Sequence, residues 1–150
     1  MALELLAVLV LGLMCGSELN VAAFAHPTLD RKPLATHIDV RASFAALFGH
    51  VMPFWMASST LLNLLLLTPF EHLNDAAWRL AAIALTIQVL AVLFSFLGPV
   101  PINNQISKWK AESLPQGWQT QQHRWDIYHW LRTSGLVVAF ALLVLSMAAG

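Results

Sequence analysis

Hydrophobic residues fall along the chain in long blocks separated by polar connections. The blocks run from about Leu5 to Ala25, Phe44 to Leu67, Ala76 to Leu97 and Leu131 to Ala149. Each is close to the ~20 residues that cross ~30 Å of hydrocarbon at ~1.5 Å per residue. Backbone N–H and C=O groups in lipid must bond within their own segment, so the pattern predicts helices rather than strands. Short connections favour an all-α transmembrane four-helix bundle, up-down-up-down, as a single domain over residues 1–150. The first block also ends in Ala23-Phe24-Ala25, which has the small-residue pattern of a signal cleavage site. Its start, Met1-Ala2-Leu3-Glu4, lacks a basic region, and Glu18 and Asn20 interrupt the apolar run, so a retained helix is the expectation.

Composition strengthens this picture. The chain is 58% hydrophobic and 11% charged, with a mean hydropathy of +0.66, whereas a soluble domain carries about a quarter charged residues. Eight basic and eight acidic side chains cancel, and without a basic face no nucleic-acid partner is expected. The lone Cys15 supports neither a disulfide framework nor a cysteine metal site. Arg31, Lys32, Arg41, Lys108, Lys110, Arg124 and Arg132 fall in or beside the first and third connections. The positive-inside rule then places those two loops in the cytoplasm and both termini outside, as expected of a multi-pass protein of the plasma or inner membrane.

Polar residues gather at one end of the blocks. Glu18 and His50 each lie about seven residues inside their segments, ~10 Å from the interface at the helical rise. His26, Asn103, Asn104, His129 and Arg132 fall at the same end, while the other end offers Asn63, Glu71, His72 and Asn74. Ionisable side chains inside membrane segments are costly and by default suggest function. Helical phase groups Glu18, Ala22 and His26 on one face, and Ala46, His50, Pro53 and Ala57 on another. Pro53 is expected to kink its helix and free a carbonyl near His50. Gly12 and Gly16 form a G-x-x-x-G packing motif beside Asn20. Trp125, Asp126, His129, Arg132 and Thr133 share a face from which His123 is rotated away, and Asp126 is placed to orient the His129 ring. Trp118, Trp125 and Trp130 read as an aromatic belt. His37 and His72 read as solvated loop residues, and Gln88 and Ser95 as polar groups either lining a cavity or packed in hydrogen bonds.

Glu18, His26, His50 and His129 have the donor types of an iron, copper or zinc site. The spacing matches neither Glu-x-x-His nor H-E-x-x-H, and there is no Gly-rich phosphate loop or nucleophile elbow. The cofactor therefore stays open between a transition metal, iron or copper, and none. Without a metal, a buried His or Glu serves as a general base.

The stretch Pro99-Val-Pro-Ile-Asn-Asn-Gln-Ile-Ser-Lys-Trp109, followed by Trp125-Asp-Ile-Tyr-His-Trp-Leu-Arg132 and a last apolar helix, resembles the anthrone oxygenase-like family. Gly16-Ser-Glu-Leu-Asn20, His26-Pro27 and Gly49-His-Val-Met-Pro53 are similar to a bacterial branch of it, so the resemblance covers nearly the whole chain. It implies an oxygenase that converts a hydrophobic aromatic substrate, an anthrone or a hydroquinone, with molecular oxygen. Such chemistry needs a flat apolar cavity, a base, and donors for a developing oxyanion. Phe48, Phe54, Trp55 and Phe94 are the expected walls, with Gln88 and Asn103 as further substrate contacts. His50 or His129 is the expected base, aided by Glu18, with Arg132 and Asn104 holding the oxyanion. Two other classes compete. One is a non-catalytic module binding a lipid or quinone headgroup or a partner subunit, with Arg132, Lys108 and Lys110 on phosphates. The other is a small proton-coupled transporter, which with so few helices would have to act as a homo-oligomer.

Overall fold

The computed structural model describes residues 2–68 and 73–149. These are helical with no strand, and four helices among them are long and apolar enough to cross a membrane. Helix α1 (Ala2–Asn20) runs through a five-residue π-helical stretch (Val21–Ala25) into the short α2 (His26–Leu29), so that the first span is continuous. Helix α3 covers Leu34–Leu66 and α4 covers Asp75–Leu97. A short α5 (Pro99–Ile106) and a 3₁₀ turn (Ala111–Ser113) lead to α6 (Trp118–Ala149). Glu71 and His72, offered at the far end on sequence grounds, lie outside the described residues.

Local chemistry marks the boundaries. The Asn74 side chain accepts from the amides of Ala76 and Ala77 at 3.0 and 2.9 Å, capping donors that have no partner within α4. At the other end of α4, Pro99 cannot donate to a preceding carbonyl, and the chain turns at Gly98 into α5. Gly117, at φ +76°, takes the left-handed turn that launches α6, a conformation costly for any side chain.

The spans form a ring in which α1 packs on α3, α3 on α4, α4 on α6 and α6 on α1, with α4 and α6 the most intimate pair. The reason is legible in α4, whose buried residues Ala77, Ala81, Ala84, Gln88, Ala91 and Ser95 repeat at three- and four-residue steps. Opposite them on α6 lie Thr133, Leu136, Ala139, Leu143 and Ser146 at the same period. In lipid no hydrophobic force separates Leu from Ala, so small side chains that let backbones approach decide the inward face. Large residues such as Leu13, Phe54, Ile83, Leu90, Leu97 and Leu145 point outward. The G-x-x-x-G motif is used only in part. A Cβ on Gly12 would sit 2.7 Å from the Phe140 ring, whereas one on Gly16 would meet nothing within 4 Å.

Two helices depart from their expected limits. α3 begins at Leu34 rather than Phe44, and α6 at Trp118 rather than Leu131. Each extension is polar on one side yet presents an inward stripe. His37, Ile38, Arg41 and Ala45 are buried on α3. They meet α5 and the start of α6 in a second apolar cluster built on Ile38, Ile102, Ile106 and Trp109, with Trp118, Trp125 and Tyr128 against it. The result is a helical cap over one end of the bundle.

Candidate functional site

The π-helical stretch sets the geometry of the first wall. In a regular helix the eight residues from Glu18 to His26 would leave their side chains about 80° apart; the extra residue held in a π turn removes about 100°, aligning them. The backbone N–H of His26 bonds to the carbonyl of Val21, five residues back, in place of the usual four. Glu18 and His26 are consequently both buried.

Glu18 meets α6. The Arg132 guanidinium holds its carboxylate bidentately, with Nη2 2.8 Å from Oε1 and also bonded to Oε2, and Nε 3.2 Å from Oε2. The Thr133 hydroxyl donates to Oε2 at 3.4 Å, and Arg132 Nη1 reaches the Ser95 hydroxyl on α4 at 3.4 Å. His129 completes the group. Its Nε2 lies 3.1 Å from the Glu18 backbone carbonyl, which can only accept, so Nε2 carries the proton and Nδ1 accepts from Arg132 Nη2 at 3.2 Å. Trp125 stacks on the imidazole at 4.6 Å and 13° between planes. A buried arginine between a carboxylate and an imidazole acceptor is fully paired, which is what keeps such a charge tolerable away from water.

This cluster forms one wall of a cavity of about 210 Å³, also lined by Phe48, Met52, Met56, Val92 and Trp125. Asn103 and Asn104 line it from α5. Asn103 is fixed by donating to the Ala45 carbonyl at 2.8 Å, and Gly49 leaves it room, since a Cβ there would lie 3.0 Å from the amide nitrogen. Because Pro53 has no N–H, the Gly49 carbonyl loses its helical donor on the same wall, as the sequence suggested for a carbonyl near His50.

The structure thus brings together Glu18, His129, Arg132, Asn103, Asn104 and Phe48 of the expected site. It does not bring in His50, which is exposed and bonds its own helix through Nδ1 to the Ala46 carbonyl at 2.7 Å. Seven residues into an apolar block, His50 looked buried; the face of α3 that turns inward is the neighbouring one, through Ala45, Met52 and Met56. Phe54 is 77% exposed and faces outward. Trp55 is held by an Nε1–H bond to the Val10 carbonyl at 3.1 Å, and Phe94 packs edge-on against Tyr128; neither lines the cavity. Gln88 is buried deeper, accepting from Ser59 at 3.3 Å. His123 is exposed, as its helical phase suggested.

The metal set does not assemble. Among the described residues no group of three or more His, Cys, Asp or Glu side chains converges on one point. His26 and His129 have ring centroids 6.3 Å apart, Glu18 is committed to Arg132, and His50 is elsewhere. Arg132 is buried in the cavity wall, away from the surface where a lipid phosphate lies.

A second polar group lies behind the first, and sequence reasoning missed it. Asp126 pairs with Arg41 Nη2 at 2.9 and 3.1 Å and with His26 Nδ1 at 3.3 Å, so it does not orient His129; the Glu18 carbonyl does. His37 is buried, not a solvated loop residue, and spans the Leu29 carbonyl and the Gln122 side chain at 3.1 and 2.8 Å. Trp125 and Trp118 belong to this interior rather than to an interfacial belt, packing on His26 and on His37 and Trp109 respectively. The available signal was the spacing of His37, Ile38, Arg41 and Ala45, a helical stripe lying upstream of the apolar block.

Fold and site together define a class: a four-span membrane protein with a buried carboxylate–guanidinium–imidazole cluster in the wall of an apolar cavity. The chain belongs to the anthrone oxygenase family, whose sequence model matches residues 43–142. No curated protein and no solved structure matches it. The matched segment holds His129, Arg132 and both asparagines, while Glu18 and His26 lie before it.

Proposed function

We propose that the protein is a membrane-embedded oxygenase that oxidises a flat aromatic substrate, an anthrone at its activated CH₂ carbon or a hydroquinone-like ring system, with molecular oxygen. The observation that carries this reading is the Glu18–Arg132–His129 cluster facing an otherwise apolar cavity. At about 210 Å³ the cavity is smaller than the ~300–1,000 Å³ of drug-sized sites and suits a rigid molecule of a few fused rings.

The chemistry follows from the parts. An anthrone CH₂ is acidic because its carbanion delocalises over flanking rings onto the carbonyl oxygen. His129 Nδ1 takes that proton on exchanging its hydrogen bond from Arg132 Nη2 for the substrate, and Glu18 beside it balances the resulting cation. Arg132 Nη1 and the amides of Asn103 and Asn104 donate to the oxyanion, in a cavity whose other walls are mostly apolar. The electron-rich carbon reduces oxygen and bonds to it. Loss of water from the hydroperoxide leaves a new carbonyl, so one oxygen atom enters the product and the other departs as water. A base and an oxyanion clamp suffice for this stoichiometry, and no step needs a further reductant.

The test is oxygen uptake by purified protein with an anthrone in detergent or vesicles. His129→Leu is expected to reduce uptake by about 10²–10⁴-fold, the usual loss of a general base, with melting temperature near that of the parent. Undiminished uptake in the variant would overturn the assignment.

A further inference from the structure

The cavity's lining grades from buried to exposed, with Phe48, Val92, Asn103 and Trp125 half-buried between the two extremes. Glu18, Met52, Met56, Ser95, His129 and Arg132 are buried and form its back. Gly49, Pro53 and Ala57 on α3, Phe96 on α4 and Asn104 on α5 line the same cavity yet are exposed on the molecular surface. The exposed set lies on α3, the last turn of α4 and α5 and nowhere else, so the mouth is a slot between α3 and the α4–α5 junction. Phe96 stands in the last turn of α4, whose 23 residues rise about 35 Å and so cover a bilayer's hydrocarbon. The slot therefore opens through the side of the bundle, at membrane depth.

The opposite approach, along the bundle axis from the cap, narrows to a hollow of about 20 Å³ lined by His26, Arg41, Phe44 and Trp125, too small to pass a ring system. His26, His37, Arg41, Gln122 and Asp126 close it with ion pairs and hydrogen bonds, and Ile102, Ile106 and Trp109 pack beneath. Small residues edge the slot on one side, and Phe96, 63% exposed, forms the other. A gap between glycine, alanine and an aromatic edge admits a planar ring and obstructs a branched or bulky one.

We infer that the substrate enters sideways from the bilayer through the slot between α3 and α4–α5, with Ala57 and Phe96 setting its width and hence the selection for flat ring systems. This rests on the proposed oxidation of a hydrophobic aromatic and adds the route and the residues that select for it. Concentration in the lipid, not in water, then sets occupancy.

The experiment loads 1,8-dihydroxyanthraquinone, dissolved in phosphatidylcholine vesicles, into the reconstituted protein and follows quenching of tryptophan fluorescence by stopped flow. The loading rate is expected to scale with probe-to-lipid ratio. Ala57→Phe is expected to slow it at least about tenfold and Phe96→Ala to speed it, while Leu61→Phe, at an exposed position of α3 away from the mouth, leaves it unchanged. Unaltered loading in Ala57→Phe, or faster loading when His37→Ala and Gln122→Ala loosen the cap, would overturn the portal. Oxygen uptake with an anthrone in the same vesicles keeps the two readings apart. Slowed loading without uptake in the parent keeps the portal and removes the oxygenase, whereas full uptake and loading in Ala57→Phe does the reverse.

Discussion

Arg132 bonds to Glu18, His129 and Ser95, and these partners are themselves held: a π-helical wall stands behind Glu18, whose carboxylate also accepts from the Thr133 hydroxyl, and a tryptophan stacks on His129. Removing either charged member, Glu18 or Arg132, leaves the other buried and unpaired. Arg132→Leu is expected to lower stability by about 3–5 kcal/mol, the cost of breaking a buried pair. Glu18→Leu combined with Arg132→Leu is expected to recover most of that loss, since an apolar pair carries no desolvation penalty, without recovering oxygen uptake. Thermal melts and uptake on the two variants check this, and equal instability in the double variant would show that the pair is needed for the fold. Gly49 gives a finer probe. A methyl there meets the Asn103 amide at 3.0 Å, so Gly49→Ala is expected to raise KM for an anthrone several-fold by displacing Asn103 while leaving the Glu18 cluster intact. At this scale the sequence was legible where a residue's own chemistry made burial expensive. Glu18, His129 and Arg132 stood out because few side chains are worse placed in lipid. His50 stood out for the same reason and was wrong, since a histidine that satisfies one nitrogen on its own backbone tolerates an exposed position on a membrane helix.

Helix boundaries and faces were legible to different degrees. Apolar length located the spans, but hydrophobicity around each helix is nearly uniform, so it could not say which face turns inward. Side-chain size says so on α4, through Ala77, Ala81, Ala84 and Ala91. The extensions of α3 and α6 beyond the apolar blocks were hidden because their stripes are polar and are buried only against each other. The π stretch was hidden too: Pro27 announces an interruption, but nothing in the composition of Val21–Ala25 announces the extra residue. Its consequence can be tested. Deleting Ala23 removes the extra residue and leaves a regular spacing of about 700° between the two positions, which keeps His26 within about 20° of Glu18's face, and the expected result is that the coupling between His26→Ala and Asp126→Asn survives in a double-mutant cycle. Gly12→Ala, which presses on the Phe140 ring, is expected to destabilise by about 1–3 kcal/mol and to be relieved by Phe140→Leu. Gly16→Ala, with open space around it, is expected to be neutral in the same melts.

At the scale of the whole molecule, the cap and the far end differ in kind. Single cysteines at Ser113, beyond α5, and at Asn74, before α4, are expected to label from opposite sides of a sealed membrane, with the Ser113 side cytoplasmic. The native Cys15 is buried and does not compete with either. Labelling of both from one side would refute the alternation of the spans. The four spans are also unequal: α3 and α6, at 33 and 32 residues, rise about 50 Å, while α4 has 23 residues and stops sharply at an asparagine cap and a Gly-Pro turn. The longer helices overhang on the cap side and tolerate surroundings of many kinds. α4 does not: its two fixed ends make it the gauge of the fold. In bilayers of short acyl chains its ends would stand in the headgroups, and in those of long chains they would be drawn into hydrocarbon, each costing a fraction of a kcal/mol per ångström of mismatch. Because Phe96 sits in the last turn, the same adjustment would raise or sink the slot relative to where an amphiphilic ring system floats. On the proposed oxygenase reading, lipid thickness thereby becomes a control on turnover, exerted without any ligand and without any change in the residues of the site.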